Sequence, residues 1–460
     1  MNSRFLSYIE EIGEKIKSSI ENSEDFLIIS SINPDGLSSS ALLLDFFYKR
    51  GVETHITFMD YISFNKVEEI LKNENAYEYN NIIFVDIGSI FTDLLIKFNK
   101  DSKRKIYVFD HHFFVSRDVE NNNVYNLHPL LFNLDPYKEI ATSNIIFYLV
   151  SYLNSYNKNL WYLSLVGNLF DFDNMNQEIL NQLLDLEILT KEKGVNLPGI
   201  FTKPFYKCLS SSFNFFIPNI TGSDEKSIEL LKNIDTNKGL ANILYQDISE
   251  DNLRKIISTI IKIKLTRNYH RTEDIIGDIY KINKENGIKD MLELMYYLAS
   301  LSENNKYYGI LYFIKKDLFD ILKESESIFR QNYIRLLYDI VESKIKIEEE
   351  DGIKKIIIQK KYGNGLYIPL LLNLLIKENI LSGKVIVVLY EIDNNFYRGV
   401  IKSFRQENRK IINNIIRKLF ENNLIYYSSF DNFGGFVVEK SKYEEFIKNL
   451  KINLRQENII

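Results

Sequence analysis

Residues 105–113 read KIYVFDHHF, five strand-forming residues followed by Asp110, His111 and His112. A short apolar run of β-branched and aromatic residues predicts a buried strand. In open parallel α/β sheets, ligands collect outside the carboxyl ends of the strands. Three adjacent ionisable side chains at that edge are therefore either a polar turn where a strand surfaces or part of a site. The stretches on either side decide between the two.

Upstream, residues 26–50 read FLIISSINPDGLSSSALLLDFFYKR. They predict a buried strand over Phe26–Ser30, a Pro/Gly turn, and a helix from about Leu37. Asp35 falls in the turn, at the sheet edge and beside a helix N-terminus. Val52–Phe58 predicts a second strand. A helix around Lys66–Lys72 leads to NIIFVDIGS, where the strand Ile82–Val85 ends in Asp86. The chain opens on an amphipathic helix with Phe5, Tyr8, Ile9, Ile12 and Ile16 at helical spacing. Downstream, LWYLSLVGNLFDFDN ends with Asp171 and Asp173. One Asp at a strand end means little. Three strands that bring Asp35, Asp86 and Asp110-His111-His112 to one sheet edge, with Asp171 from a fourth segment, predict a present or former metal site. Carboxylates mixed with imidazole are the donor set that a hard or borderline divalent ion such as Mn²⁺ takes.

With 460 residues, 31 Phe, 30 Tyr, 19 Gly and 7 Pro, the chain is globular and has room for two or three domains. A net charge of −5 excludes a general polyanion binder, so a nucleic-acid partner needs a local basic groove. The single cysteine, Cys208, excludes an internal disulfide framework and fits a reducing compartment; it reads as a small buried side chain, not a nucleophile. No apolar run approaches the roughly 20 residues of a membrane span, and the N-terminus lacks a signal-peptide core. A soluble, cytoplasmic protein with no membrane association is expected.

The order NPDG, VDIGS, FDHHF and GNLFDFD resembles the four motifs of the DHH phosphoesterase superfamily. That superfamily includes RecJ-type exonucleases, oligoribonucleases and family II pyrophosphatases. Residues 201–234, FTKPFYKCLSSSFNFFIPNITGSDEKSIELLKNI, are similar to the region that follows the DHH domain in archaeal RecJ-like proteins, including the nuclease that associates with GINS. The same lineage contains the eukaryotic helicase-associated replication factor of this fold, which lacks nuclease activity. Near the end, VIKSFRQENRKIINNIIRKLFENN and FDNFGGFVVEKSKYEEFIKNL resemble a DHHA1-type domain. In that family an Arg in the strand and a GGH motif hold the substrate's phosphate or terminal nucleotide. Arg405, Gly434 and Gly435 match those positions.

The resemblance implies an α/β protein in three parts. A doubly wound parallel-sheet DHH domain takes residues 1–195, a mostly helical middle region and connector 196–349, and a DHHA1-like α/β domain 350–460. The connector reads as a long helix over Leu318–Ile347, and the charged run IKIEEEDGIKK, 345–355, reads as a linker. A helix near Ile368–Lys377 and the strand KVIVVLYEI, 384–392, follow.

Departures from the family pattern carry as much information as the matches. The first motif is normally His-x-Asp-x-Asp-Gly; here it is Ser31-Ile32-Asn33-Pro34-Asp35-Gly36. Of the two metal sets the resemblance implies, Asp35, Asp86, His111 and Asp171 complete one. The other keeps only Asp86, because serine and asparagine bring neither charge nor an imidazole lone pair. One Mn²⁺ is expected, with Mg²⁺ as the alternative ion and the second site lost; Asp45 and Asp173 are the side chains that could replace a missing ligand. By the same resemblance Asp86 bridges the metals, His112 stabilises the phosphate or leaving oxygen, and Asp110 orients the histidines. Phe436 replaces the GGH histidine, and Val437-Val438-Glu439 would crowd and repel a phosphate.

Two functional readings stay open. The first is a DNA replication and repair protein that binds single-stranded DNA or RNA and partners such as GINS and the replicative helicase, with impaired or one-metal catalysis. The second is an active Mn²⁺-dependent single-strand exonuclease on DNA or RNA; small-nucleotide or pyrophosphate hydrolysis ranks third. Elsewhere, GNGLY at 363–367 has no following Lys-Ser/Thr and is not a P-loop. His55, His128 and His270 read as ordinary surface or core histidines, Trp161 and Tyr162 as core packing, and the helix from Arg405 to Arg417 as a solvated face.

Overall fold

The strand predicted from KIYVF forms over Lys105–Phe109. It is the fourth strand (β4) of the computed structural model, which describes residues 3–59, 64–72, 79–100, 102–112, 120–121, 123–135, 140–154, 158–172, 174–235, 239–283, 287–427 and 434–460. It joins β1 (Phe26–Ser31), β2 (Thr54–Met59), β3 (Asn81–Val85), β5 (Glu120–Asn121) and β6 (Val124–Leu127) in a six-stranded sheet of order β2-β1-β3-β4-β6-β5. All pairings are parallel except the short antiparallel β5–β6 pair. Side chains alternate along a strand. The register sets Ile28 beside Ile83 and Ile83 beside Tyr107, whereas Ile29, Phe84 and Val108 line up on the opposite face. Helices Ser3–Glu21, Pro34–Tyr48 and Thr142–Tyr152 cover the first face, with Ile12, Leu43 and Ile146 in its core. Helices Phe64–Lys72 and Thr92–Phe98 cover the second through Val67, Leu71 and Leu95. The doubly wound parallel sheet expected from the sequence is present.

The middle of the chain is mainly helical, with Glu250–Thr266, Met291–Glu303 and the long connector Phe319–Val341. The connector is shorter than the Leu318–Ile347 expected, because the chain turns back after Val341. Neither strand of one further pair was foreseen: β8 (Ile276–Ile282) runs antiparallel to β7 (Leu189–Val195).

A second sheet has the order β13-β14-β12-β11-β10-β9. Its strands are β9 (Ile347–Glu350), β10 (Ile353–Ile358), β11 (Val385–Glu391), β12 (Phe396–Ser403), β13 (Tyr426–Tyr427) and β14 (Gly434–Glu439). Here the charged run at 345–355 departs from the linker reading. It folds as the β9–β10 hairpin, turning at Asp351 (φ 54°) and Gly352 (φ 77°). Positive φ at both turn residues matches the twist of the flanking strands. Its carboxylates are anchored from the helix Tyr443–Gln456, with Lys451 2.7 Å from Glu350 and Arg455 3.0 Å from Asp351.

One apolar core runs from the first face of the first sheet through the middle helices to Ile356, Ile386 and Val388 of the second sheet. On the other side, Phe91 meets Phe420 edge-on at 6.0 Å and joins the remaining faces of the two sheets. Among the described residues, no helix is long and apolar enough to cross a membrane.

Candidate metal centre and the adjoining cleft

Asp86 and Asp110 stand at the ends of β-strands, Asp35 at the start of a helix, and Asp171 in the last turn of the helix Val166–Phe172. Asn33 caps the helix Pro34–Tyr48 by accepting from Gly36 N at 2.8 Å, which places Asp35 in the first turn. Both Asp35 oxygens are taken by backbone: Thr142 N donates at 2.7 Å and Ser143 N at 2.8 Å, from the start of the helix Thr142–Tyr152. Asp86 leaves β3 with φ 60°, a left-handed conformation that turns its carboxylate back under the sheet edge. There it accepts from Ser31 Oγ at 2.6 Å and Thr142 Oγ1 at 2.9 Å. Asp110 accepts from Ser89 N at 2.9 Å, His112 N at 3.0 Å and His112 Nδ1 at 2.7 Å.

His111 is the meeting point of the cluster. Its Nε2 lies 3.4 Å from Asp35 Oδ2, 3.5 Å from Asp86 Oδ1 and 3.7 Å from Asp171 Oδ2. Two triads have ligand atoms close enough to share an ion: Asp35, His111 and Asp171, and Asp86, His111 and His112. All of these groups, with Asp110, are at most 2% exposed. The donor set of carboxylate and imidazole fits a hard or borderline divalent ion.

Burial and the neighbouring Asp86 hold the Asp35 carboxyl well above the usual carboxylate range, against the pull of His111. For Asp86 burial pushes the same way, but His112 and His111 outweigh it and the group sits below its ordinary value. Asp110 is likewise depressed against burial, by the charge and hydrogen bond of His112. His128 accepts from Leu130 N through Nδ1 at 3.2 Å, so its Nε2 carries the proton that meets the His112 carbonyl at 2.8 Å. Burial holds that imidazole down at about 4, hence neutral.

Phe172 meets His111 edge-on at 5.8 Å and also lines a cleft of about 940 Å³ that reaches to the end of β12 and the start of β14. Arg409, opening the helix Arg409–Glu421, stands over the Phe172 ring at 5.7 Å. The cleft is rimmed by Arg271, Lys377, Lys402, Arg405, Arg409 and Lys410 against Asp135, Glu273 and Glu407. It is thus a local basic groove on an acidic chain.

Asp35, Asp86, Asp110, His111, His112 and Asp171 come together, whereas the C-terminal expectations change in part. Arg405 follows β12 instead of lying in it; its side chain is 78% exposed, 3.8 Å from Glu407, on the cleft rim. The strand arginine is Arg398, which is buried and donates to Asn364 O at 3.1 Å. Gly434 lines the cleft, and Gly435 sits in β14 opposite Val400. Val437 and Val438 do not crowd the cleft but are buried in the sheet's own packing. Glu439 turns to Tyr426, whose hydroxyl donates at 2.6 Å, and to Lys442. Phe436 packs against Phe446, with ring centres 4.7 Å apart and planes tilted by 35°. The helix read as a solvated face turns Arg409, Lys410, Ile412 and Asn413 to the cleft, and Arg417 pairs outward with Glu421.

Asp45 is held by Lys49 at 2.7 Å, and Asp173 lies outside the described residues. Sequence reasoning missed Thr142, Ser143 and Ser89, whereas His128 is a buried core histidine, as read. A Thr-Ser-Asn run before an apolar stretch marks a helix start, but nothing local says which carboxylate it will hold.

Residues 163–317, a third of the chain, match the family model described as archaeal Cdc45. An uncharacterized protein of Methanocaldococcus jannaschii is 25% identical over 308 residues, 65% of this chain and 66% of that one, just under two thirds of its length. Among solved structures, Cdc45 from Entamoeba histolytica is similar with a TM-score of 0.64 and 11% identity, covering 98% of this chain and 99% of that chain. RecJ in complex with Mn²⁺ from Thermus thermophilus is similar with a TM-score of 0.54 and 11% identity, covering 97% of this chain and 55% of that chain. At 11% identity the structural likenesses show a shared fold with Cdc45 and RecJ, and the family-model match is confined to residues 163–317.

Proposed function

We propose that this RecJ-like protein of the DHH superfamily serves DNA replication by binding single-stranded nucleic acid, DNA or RNA, with impaired or one-metal catalysis. GINS and the replicative helicase are its proposed partners. The observation that carries the reading is the divided fate of the centre. Asp35, His111 and Asp171 converge within ligand distance, whereas Ser31 and Asn33 spend their side-chain oxygens on Asp86 and Gly36.

When bound, a divalent ion held by Asp35, Asp86, His111 and Asp171 would supply Lewis-acid polarisation of a phosphate oxygen and a more acidic water. Asp110 accepts a hydrogen bond from His112 Nδ1–H at 2.7 Å, which fixes the tautomer and leaves Nε2 as the ring's outer nitrogen. Arg405, with Lys402 and Arg271 on the same rim, would bind phosphates in the groove.

The alternative is an active Mn²⁺-dependent exonuclease, favoured by the second triad of Asp86, His111 and His112. End-labelled single strands incubated with Mn²⁺ separate the two, with the wild type compared against Asp86→Ala and His111→Ala. Retained strand binding with no cleavage above the variants supports impaired catalysis. Metal-dependent cleavage that both substitutions abolish supports the exonuclease. Absence of strand binding sinks both.

A further inference from the structure

Asp86 occupies the position from which the resemblance implies a bridge between two ions, yet both of its oxygens are already served by hydroxyls. Ser31 Oγ donates to Oδ2 at 2.6 Å, and Thr142 Oγ1 donates to Oδ1 at 2.9 Å. Ser31 stands where the first motif normally has its histidine, so a proton donor faces the carboxylate where a metal ligand would be. Thr142 does a second job through its backbone, donating from N to Asp35 Oδ2 at 2.7 Å. One residue therefore ties together two buried carboxylates that repel each other, and Ser143 N completes the hold on Asp35 at 2.8 Å. Ser143 Oγ in turn donates to Ser164 O at 2.8 Å, fixing the helix start to the segment that precedes Asp171.

We propose that Thr142 and Ser31 are positioning residues whose hydroxyls stand in for the lost ion. They cap Asp86 so that the centre holds its shape without the second metal, and a single ion is left to Asp35, His111 and Asp171, with Asp86 beside them. This rests on the one-ion reading above. A buried carboxylate costs far less when donors satisfy it than when it is bare. An intact acidic motif needs cations for that service; this altered one draws its donors from its own chain.

The test is thermal unfolding of the full chain in EDTA and in Mn²⁺, with calorimetric titration of Mn²⁺, for wild type, Thr142→Val, Thr142→Ser and Ser31→Ala. In EDTA, Thr142→Val and Ser31→Ala are expected to unfold about 2 °C or more below wild type. Thr142→Ser, which keeps the hydroxyl, should match wild type. Mn²⁺ should raise the midpoint of Thr142→Val more than that of wild type. If Thr142→Val does not fold, Ser31→Ala carries the same comparison.

Equal midpoints in EDTA overturn the proposal, and so does Thr142→Ser falling as far as Thr142→Val, since that marks a packing role. The titration judges the other reading separately. One ion per wild-type chain supports both, and two ions overturn both. No ion overturns only the one-ion reading, because the hydroxyl caps are tested in EDTA.

Discussion

Lys264 Nζ sits 2.6 and 2.8 Å from the two carboxylate oxygens of Glu378, with both side chains buried, and donates also to Phe216 O at 2.9 Å. Glu378 Oε1 accepts from Phe216 N at 2.9 Å. The pair ties a helix of the middle region to the end of the helix Ile368–Lys377, which joins β10 to β11.

Removing one member leaves a charge buried alone. Glu378→Ala and Lys264→Ala are each expected to cost about 3–5 kcal/mol, read as the shift in urea unfolding. The double variant Lys264→Met/Glu378→Leu should recover part of that loss, though not all, because Phe216 N–H and C=O lose their partners. Single-variant stabilities within error of wild type would show that the pair contributes nothing net.

Glu303 closes the helix Met291–Glu303 and accepts from Leu366 N at 2.8 Å and Gly365 N at 3.3 Å, as well as from Asn364 N. Burial pushes its carboxyl up to about 7 from the usual 4.5, although these amides pull the other way. Between those two values the folded chain binds more protons at this group than the unfolded chain does. Its contribution to stability therefore falls as the pH rises through that window, by up to about 3 kcal/mol. Glu303→Gln removes the titration, so the stability deficit of the variant should shrink between pH 5 and pH 8. A gap that stays constant across that range would sink the prediction.

The strands and their polar ends were legible because buried β-strands write themselves in short apolar runs. Asp35, Asp86 and Asp110-His111-His112 stand where those runs stop. Pairings across long stretches were not legible: β7 meets β8 across some 80 residues, and neither strand names its partner. The charged run at 345–355 did carry a signal, since Asp351-Gly352 between isoleucine-bearing runs is a hairpin turn; its charge density pointed the other way. Thr142 was hidden for a different reason. Its contacts to Asp35 and Asp86 exist only once two helix starts are brought face to face.

The cleft rim predicts a salt-dependent interaction. Arg405 is exposed on the rim, and Arg409 stands over Phe172 beside His111. Removing one phosphate-binding cation should flatten the slope of log affinity against log salt by about 0.7 for a single strand. Arg405→Ala and Arg409→Ala are expected to weaken oligothymidylate binding and flatten that slope, measured by fluorescence anisotropy across salt. Arg417→Ala, which removes a surface partner of Glu421, should leave it unchanged. Equal slopes for all three variants would place the strand elsewhere.

Gly167 gives the sharpest test of the centre's packing. It lies in the helix Val166–Phe172, where alanine is intrinsically favoured over glycine by roughly 1 kcal/mol. A Cβ there would overlap Asp35 Oδ1 and Cγ and crowd Ser143 Oγ. Steric overlap with a carboxylate already fixed by two backbone amides outweighs that propensity, so Asp35 must swing out of line with His111. Gly167→Ala is expected to lower Mn²⁺ affinity about tenfold or more while the far-ultraviolet circular dichroism stays that of wild type. Gly51→Ala is the control: its φ is 64°, and a Cβ meets nothing within 4 Å, so any local strain there should leave Mn²⁺ affinity untouched. If Gly167→Ala binds Mn²⁺ as wild type does, Asp35 does not hold the ion, and the ligand set must be redrawn around Asp86, His111 and His112.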